Sequence, residues 1–179
     1  MATDHRGIKN ENSFFDIRML DPDTHETPDS AILNEIGELR FQVWRHENSI
    51  NEELFPNKCW VDSLDCNAYH WVATSTKSGA IIASSRLTLH TSLDDDYRDV
   101  QLWKRAGKEL PLPTTDLGRL VVHPDYRGRG IAQVMNQLRV NHAKKLGAKS
   151  IMVTGSAMCA LYVTALYTCM LYAFIAACD

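Results

Sequence analysis

The 179-residue chain is short of several things that would narrow its chemistry quickly. It has no excess of positive charge: 19 Lys and Arg stand against 22 Asp and Glu, so there is no electrostatic footprint for a polyanion and no nucleic acid is expected as a partner. It has no CxxC pair. Its five cysteines, Cys59, Cys66, Cys159, Cys169 and Cys178, are odd in number, and three of them lie in an apolar run. That pattern argues against a disulfide framework or a zinc site and for reduced, buried thiols in a cytoplasmic protein. Residues 1–12 lack the apolar core of a secretion signal and read as a flexible N-terminus. No repeat or low-complexity tract divides the remainder, so residues 13–179 read as one domain, long enough to bury roughly 70% of the unfolded chain's surface.

Charge is also missing between Ile151 and Cys178, a stretch long enough to cross a bilayer, which takes about 20 residues. Tyr162, Tyr167 and Tyr172 and the lack of Lys or Arg after the segment favour a buried strand and helix over membrane contact through a tail anchor.

The rest of the chain alternates between strand-like and helix-like patterns. Phe14 to Leu20 reads as a strand ended by Asp21-Pro22. Pro28-Asp29-Ser30 offers a helix cap, and Ile32, Leu33, Ile36, Leu39 and Val43 recur on one face of the helix it opens. Asn48 to Ser63 has no period and reads as a long loop. Tyr69 to Ser75 and Ala80 to Leu89 form a hairpin around Thr76-Lys77-Ser78-Gly79. From Asp116 a buried strand runs to Val122, turns at His123-Pro124-Asp125, and enters a helix through Arg127-Gly128-Arg129-Gly130. Gly147 ends that helix, and Ser150 to Thr154 resumes as a strand. His70, His90 and His123 lack partners at ligand spacing and read as structural, so no metal is expected.

A glycine turn opening a helix presents unpaired backbone N–H groups and the positive end of the helix dipole, and so suits a phosphate. Gly128-x-Gly130 alone is a common turn; the third glycine of a dinucleotide fingerprint and the Gly-Lys-Ser/Thr of a P-loop are both absent. The whole segment from Leu120 to Ala132 resembles the GNAT superfamily of coenzyme-A-dependent N-acyltransferases. The pyrophosphate loop of that family reads Arg/Gln-x-x-Gly-x-Gly/Ala, and Arg127, Gly130 and Ala132 fill its defining places.

The resemblance implies an α/β GNAT fold: a mixed central sheet whose fourth and fifth strands splay apart around the pantetheine arm of the donor. It implies acetyl-CoA, or another acyl-CoA, as co-substrate. Leu120, Val121 and Val122 would pair with the arm through their backbone, and Arg127, Gly128, Arg129, Gly130, Ile131 and Ala132 would meet the pyrophosphate. The expected reaction is N-acetyl transfer to a primary amine of a small molecule or protein. Two rivals are longer-chain transfer from acyl-CoA or acyl carrier protein and a degenerate, non-catalytic binding module.

The N-terminal half is similar to acyl-homoserine-lactone and N-acyl-amino-acid synthases at Arg40, Trp44, Asp62, Asp65, Arg86 and the Asp116-x-x-Arg119 pair. Asp62 and Asp65 could orient an amine, while Arg40, Arg86 and Arg119 pair with them or with a substrate carboxylate. Amine attack needs a base, for which Asp116 stands where several GNAT enzymes carry an acidic residue, and strand alternation gives it the face of Gly118 and Leu120. The acid protonating the leaving thiolate would be a helical tyrosine, Tyr167 or Tyr162. These two lie roughly 140° apart around a helix, so one alone would face the sulfur. The family normally adds a sixth and usually a seventh strand, for which no pattern remains after about residue 157. The apolar tail or a second copy in a homodimer would then cover the exposed edge, or the chain is a shortened product with impaired activity.

Overall fold

The computed structural model describes residues 14–22, 31–47, 51–92 and 111–153. Their order is β1 (Phe15–Leu20), α1 (Ala31–His46), 3-10 turns at Glu52–Leu54 and Ser63–Asn67, β2 (Tyr69–Ser75), β3 (Ile81–His90), β4 (Thr114–Val122), a 3-10 turn at Pro124–Tyr126, α2 (Ile131–Lys145) and β5 (Ser150–Met152). The strands form one mixed sheet in chain order. β1 runs antiparallel to β2, from Phe15 opposite Ser75 to Leu20 opposite His70. β5 runs parallel to β4, with Thr114 opposite Ser150 and Asp116 opposite Met152. β5 thus ends short of the expected Thr154, and the sheet is the mixed α/β architecture that the resemblance implies.

The chain divides into two compact units, Met1–Arg86 with Arg119–Met135, and Leu87–Gly118 with Asn136–Asp179. In the first, α1 turns the stripe predicted for it inward. Leu33 and Ile36 pack with Val72 of β2, and Leu39 and Val43 pack with Val121 of β4. Each such aliphatic side chain contributes about 1.5–3 kcal/mol by leaving water. The long loop after α1 is not structureless. Asn51 caps its first 3-10 turn by accepting from the Glu53 N–H at 3.1 Å, and the rings of Phe55 and Trp60 pack at 5.0 Å between centroids, tilted by 44°. In the second unit, Ser150 Oγ lies 2.8 Å from both Thr114 Oγ1 and the Pro111 carbonyl, fixing the start of the parallel pair.

Gly37 decides how closely α1 and the loop approach. A Cβ there would lie 2.3 Å from Cys59 Sγ, 2.7 Å from Val61 Cγ2 and 3.2 Å from the Trp60 amide nitrogen, which donates to the Gly37 carbonyl at 3.0 Å. Helix propensity favours Gly37→Ala by about 1 kcal/mol, but the crowding includes main chain that cannot rotate aside. Gly37→Ala is therefore expected to destabilise the protein by about 1–3 kcal/mol, read as a lower urea midpoint at unchanged slope. A midpoint at or above wild type would show that the loop gives way freely.

Candidate active site

The turn after β4 is built to leave backbone donors open. The His123 N–H donates to the Ile82 carbonyl at 2.8 Å, anchoring the start of the turn to β3, and His123 Nδ1 accepts from the Asp125 N–H at 3.3 Å. Gly128 and Gly130 then take φ of +73° and +79°, where an L side chain costs about 1–2 kcal/mol. Val134 is the first donor of the α2 ladder, on the Gly130 carbonyl at 3.1 Å, so the amides from Gly130 to Gln133 precede any intrahelical acceptor. Gly130 has no side-chain oxygen with which to cap them.

The loop arginines are turned to protein. Arg127 donates through Nε to the Val122 carbonyl at 3.1 Å and through Nη2 to Glu47 at 2.5 Å. Arg129 donates to the Asp125 carbonyl at 3.1 Å, with its guanidinium over the rings of Phe14 and Tyr126. What the turn offers an anion is the main chain and the dipole of α2.

The second feature of the same unit is a ladder of charge. Asp62 and Asp65 stand three residues apart because they form the capping box of the second 3-10 turn: Asp62 accepts from the Leu64 N–H at 3.0 Å, and Asp65 accepts from the Asp62 N–H at 2.8 Å. Asp65 Oδ1 is shared between Arg40 of α1 at 2.9 Å and Arg86 of β3 at 3.0 Å, all three side chains being almost wholly shielded from water. Arg86 also reaches Asp62 at 2.6 Å, and Asp62 reaches Arg119 of β4 at 2.8 Å. His70 Nε2 lies 3.0 Å from the Asp65 carbonyl, and its Nδ1 lies 3.4 Å from Arg40. Since a guanidinium can only donate, Nδ1 is the accepting nitrogen and Nε2 the donating one.

Burial alone would raise the Asp65 carboxyl, but Arg40 and Arg86 outweigh it and bring it down to about 2. Burial, reinforced by Arg86, lowers the Arg40 guanidinium against the pull of Asp65. Exposure enters only at the outer end, where the side chains of Asp62 and Arg119 are 30% and 26% exposed and the Arg119 guanidinium rests 4.3 Å above the Trp60 ring centroid.

Arg40, Asp62, Asp65, Arg86 and Arg119 are thus brought together, each with protein partners. Asp116 is fully buried on β4, in the second unit. The expected alternation does not run on regularly to Leu120, because Arg119 takes φ of +54° inside the strand. Tyr162 and Tyr167 lie outside the described residues. His70 and His123 have the structural parts read for them, His90 lies 3.0 Å from Thr88 Oγ1, and no cluster able to hold a metal occurs among the described residues. Sequence reasoning missed Glu47 as the partner of Arg127; the signal was an acid just past a helix C-terminus, where the dipole disfavours it. It also missed Trp60 as the platform under Arg119. No described helix is long and apolar enough to cross a membrane.

The family model described as Acetyltransferase (GNAT) domain matches residues 39–137. An assigned N-acetyltransferase from Lactobacillus plantarum superposes with a TM-score of 0.56 at 15% identity, over 86% of this chain and 84% of that one. A predicted acetyltransferase from Clostridium acetobutylicum, solved with acetyl-CoA, gives 0.54 at 16% identity, over 85% and 88%. The ribosomal-protein-alanine N-acetyltransferase of Brucella melitensis biovar Abortus 2308 gives 0.50 at 13% identity, over 92% and 97%. Likeness at such identity is likeness of fold. Among curated proteins none matches.

The ladder makes stability depend on acid in a defined window. With Asp65 at about 2 in the fold against its ordinary 3.8, the stabilisation is fully present above pH 3.8 and is lost as pH falls through 2. It amounts to roughly 2 kcal/mol. Asp65→Asn should flatten that limb of the stability curve and cost about 3–5 kcal/mol at neutral pH, because buried Arg40 loses its carboxylate and buried Arg86 keeps only that of Asp62. Urea unfolding of both proteins from pH 2 to 7 measures this; parallel curves would contradict it.

Proposed function

The chain belongs to the GNAT acetyltransferase family, and on that footing we propose that it transfers an acetyl group from acetyl-CoA to a primary amine of a small molecule or protein. The observation that carries this reading is the open row of amides from Gly130 to Gln133 at the start of α2. In it, the donor's diphosphate takes the main chain from Gly128 to Ala132, the Arg127 N–H expected beside them being donated to the Pro124 carbonyl at 3.2 Å, and its pantetheine arm follows the backbone of Leu120, Val121 and Val122. The solved acetyl-CoA complex of the Clostridium acetobutylicum protein, similar in fold, supports this class of donor.

The amine attacks the thioester carbonyl, giving its proton to Asp116 directly or through water. A backbone N–H near Val122 holds the oxyanion. As the carbon–sulfur bond breaks, Tyr167 or Tyr162 protonates the departing thiolate, leaving an amide and coenzyme A. In the ladder, each carboxylate already accepts from two arginines and a backbone amide, which favours a supporting part for it over direct binding of the amine. Mass spectrometry of products from mixed acetyl, medium-chain and long-chain donors with an amine panel tests the acyl group. Acetylated amines are the expected outcome, and long-chain amides alone would overturn it.

The loop itself is tested by Gly130→Val. Nothing lies within 4 Å of the added Cβ, so the change acts by forcing a β-branched residue into a φ of +79° and by crowding the approach of the phosphate. Calorimetric titration with coenzyme A should show saturable binding to wild type and binding roughly tenfold weaker or worse to the variant. Equal affinities would contradict the assignment.

A further inference from the structure

Arg119 combines three unusual features. It is a residue with a Cβ in the left-handed region, at φ +54°, it stands inside a strand, and it immediately precedes Leu120–Val122. Left to itself such a residue prefers to relax to extended backbone. Here its side chain is held from two sides, by Asp62 at 2.8 Å and by the face of Trp60 at 4.3 Å. Asp62 is itself fixed by Arg86 and by the capping box, and Asp65 and Arg40 fix those in turn.

We propose that the charge ladder is a clamp that imposes the left-handed backbone at Arg119 and so sets where Leu120, Val121 and Val122 present their main-chain groups to the acyl donor. The five charged side chains are positioning residues: they act through the conformation of one peptide, and the donor meets the backbone beyond it. A strained residue over-determined by its surroundings is how a fold stores such pre-organisation. An arginine tether also explains why glycine, the ordinary occupant of this region, is not required there. The inference rests on the donor reading above.

Arg119→Ala and Arg119→Gly both delete the ion pair and the ring contact, and they differ in backbone preference. Titration with acetyl-CoA should show Arg119→Ala binding about tenfold more weakly than wild type, a loss of about 1.4 kcal/mol, and Arg119→Gly binding about fivefold tighter than Arg119→Ala. At a positive φ glycine is also the more stable of the two variants, so thermal unfolding is followed alongside and binding is compared well below both midpoints, where each variant is fully folded. Asp62→Asn should weaken donor binding in the Arg119 background and add little in the Arg119→Gly background. Equal weakness of the two Arg119 variants, or an Arg119→Ala that binds like wild type, overturns the clamp while leaving the donor reading intact. Failure of wild type to bind acetyl-CoA overturns the donor reading and the clamp with it.

Discussion

One carboxylate, that of Asp65, is shared by two buried guanidinium groups, and most of the first unit is arranged around that fact. A charge taken out of water must be matched closely or it costs several kcal/mol. The match here draws on α1 for Arg40, on β3 for Arg86, on β2 for His70 and on the 3-10 turn for the aspartate itself. None of these elements can shift without unpairing another. The apolar contacts of Leu33, Ile36 and Val72 give the unit its driving force, and the ionic contacts give it a single register.

The same economy governs the glycine turn. A capping serine or aspartate before α2 would accept from one of its first amides, a gain over glycine of only about a few tenths of a kcal/mol. The chain has Gly130 instead, and it ties the neighbouring arginine heads to Glu47 and to main-chain carbonyls. The first amides of α2 therefore have no capping side chain at Gly130, and the nearby guanidinium groups are already engaged by protein. A long polar ligand lying along Leu120–Val122 with its phosphates at the helix start would then meet mostly backbone.

Elements with a strong local signal were legible in the amino-acid order. The stripe of α1, the hairpin around Thr76-Lys77-Ser78-Gly79 and the strand–turn–helix from Asp116 onward all stand within a few residues of where the pattern puts them. The association of Asp62, Asp65, Arg40, Arg86 and Arg119 was visible as a set, but its geometry was not. Spacing cannot show that Asp62 and Asp65 cap one short turn, or that Arg40 points inward from an otherwise apolar stripe. The left-handed backbone of Arg119 has no sequence signature, since it is imposed by partners distant in the chain. The tight approach at Gly37 likewise depends on what Cys59, Trp60 and Val61 bring to it.

The central claim is that uncapped main-chain amides at the start of α2 receive the diphosphate of coenzyme A. Two-dimensional amide NMR of the folded protein, titrated with coenzyme A, tests it at the atoms concerned. The account predicts saturable downfield shifts of the Gly128 to Ala132 N–H signals, lost when coenzyme A is replaced by pantetheine, which lacks the phosphates. Saturation that moves other amides and leaves those five in place would contradict it.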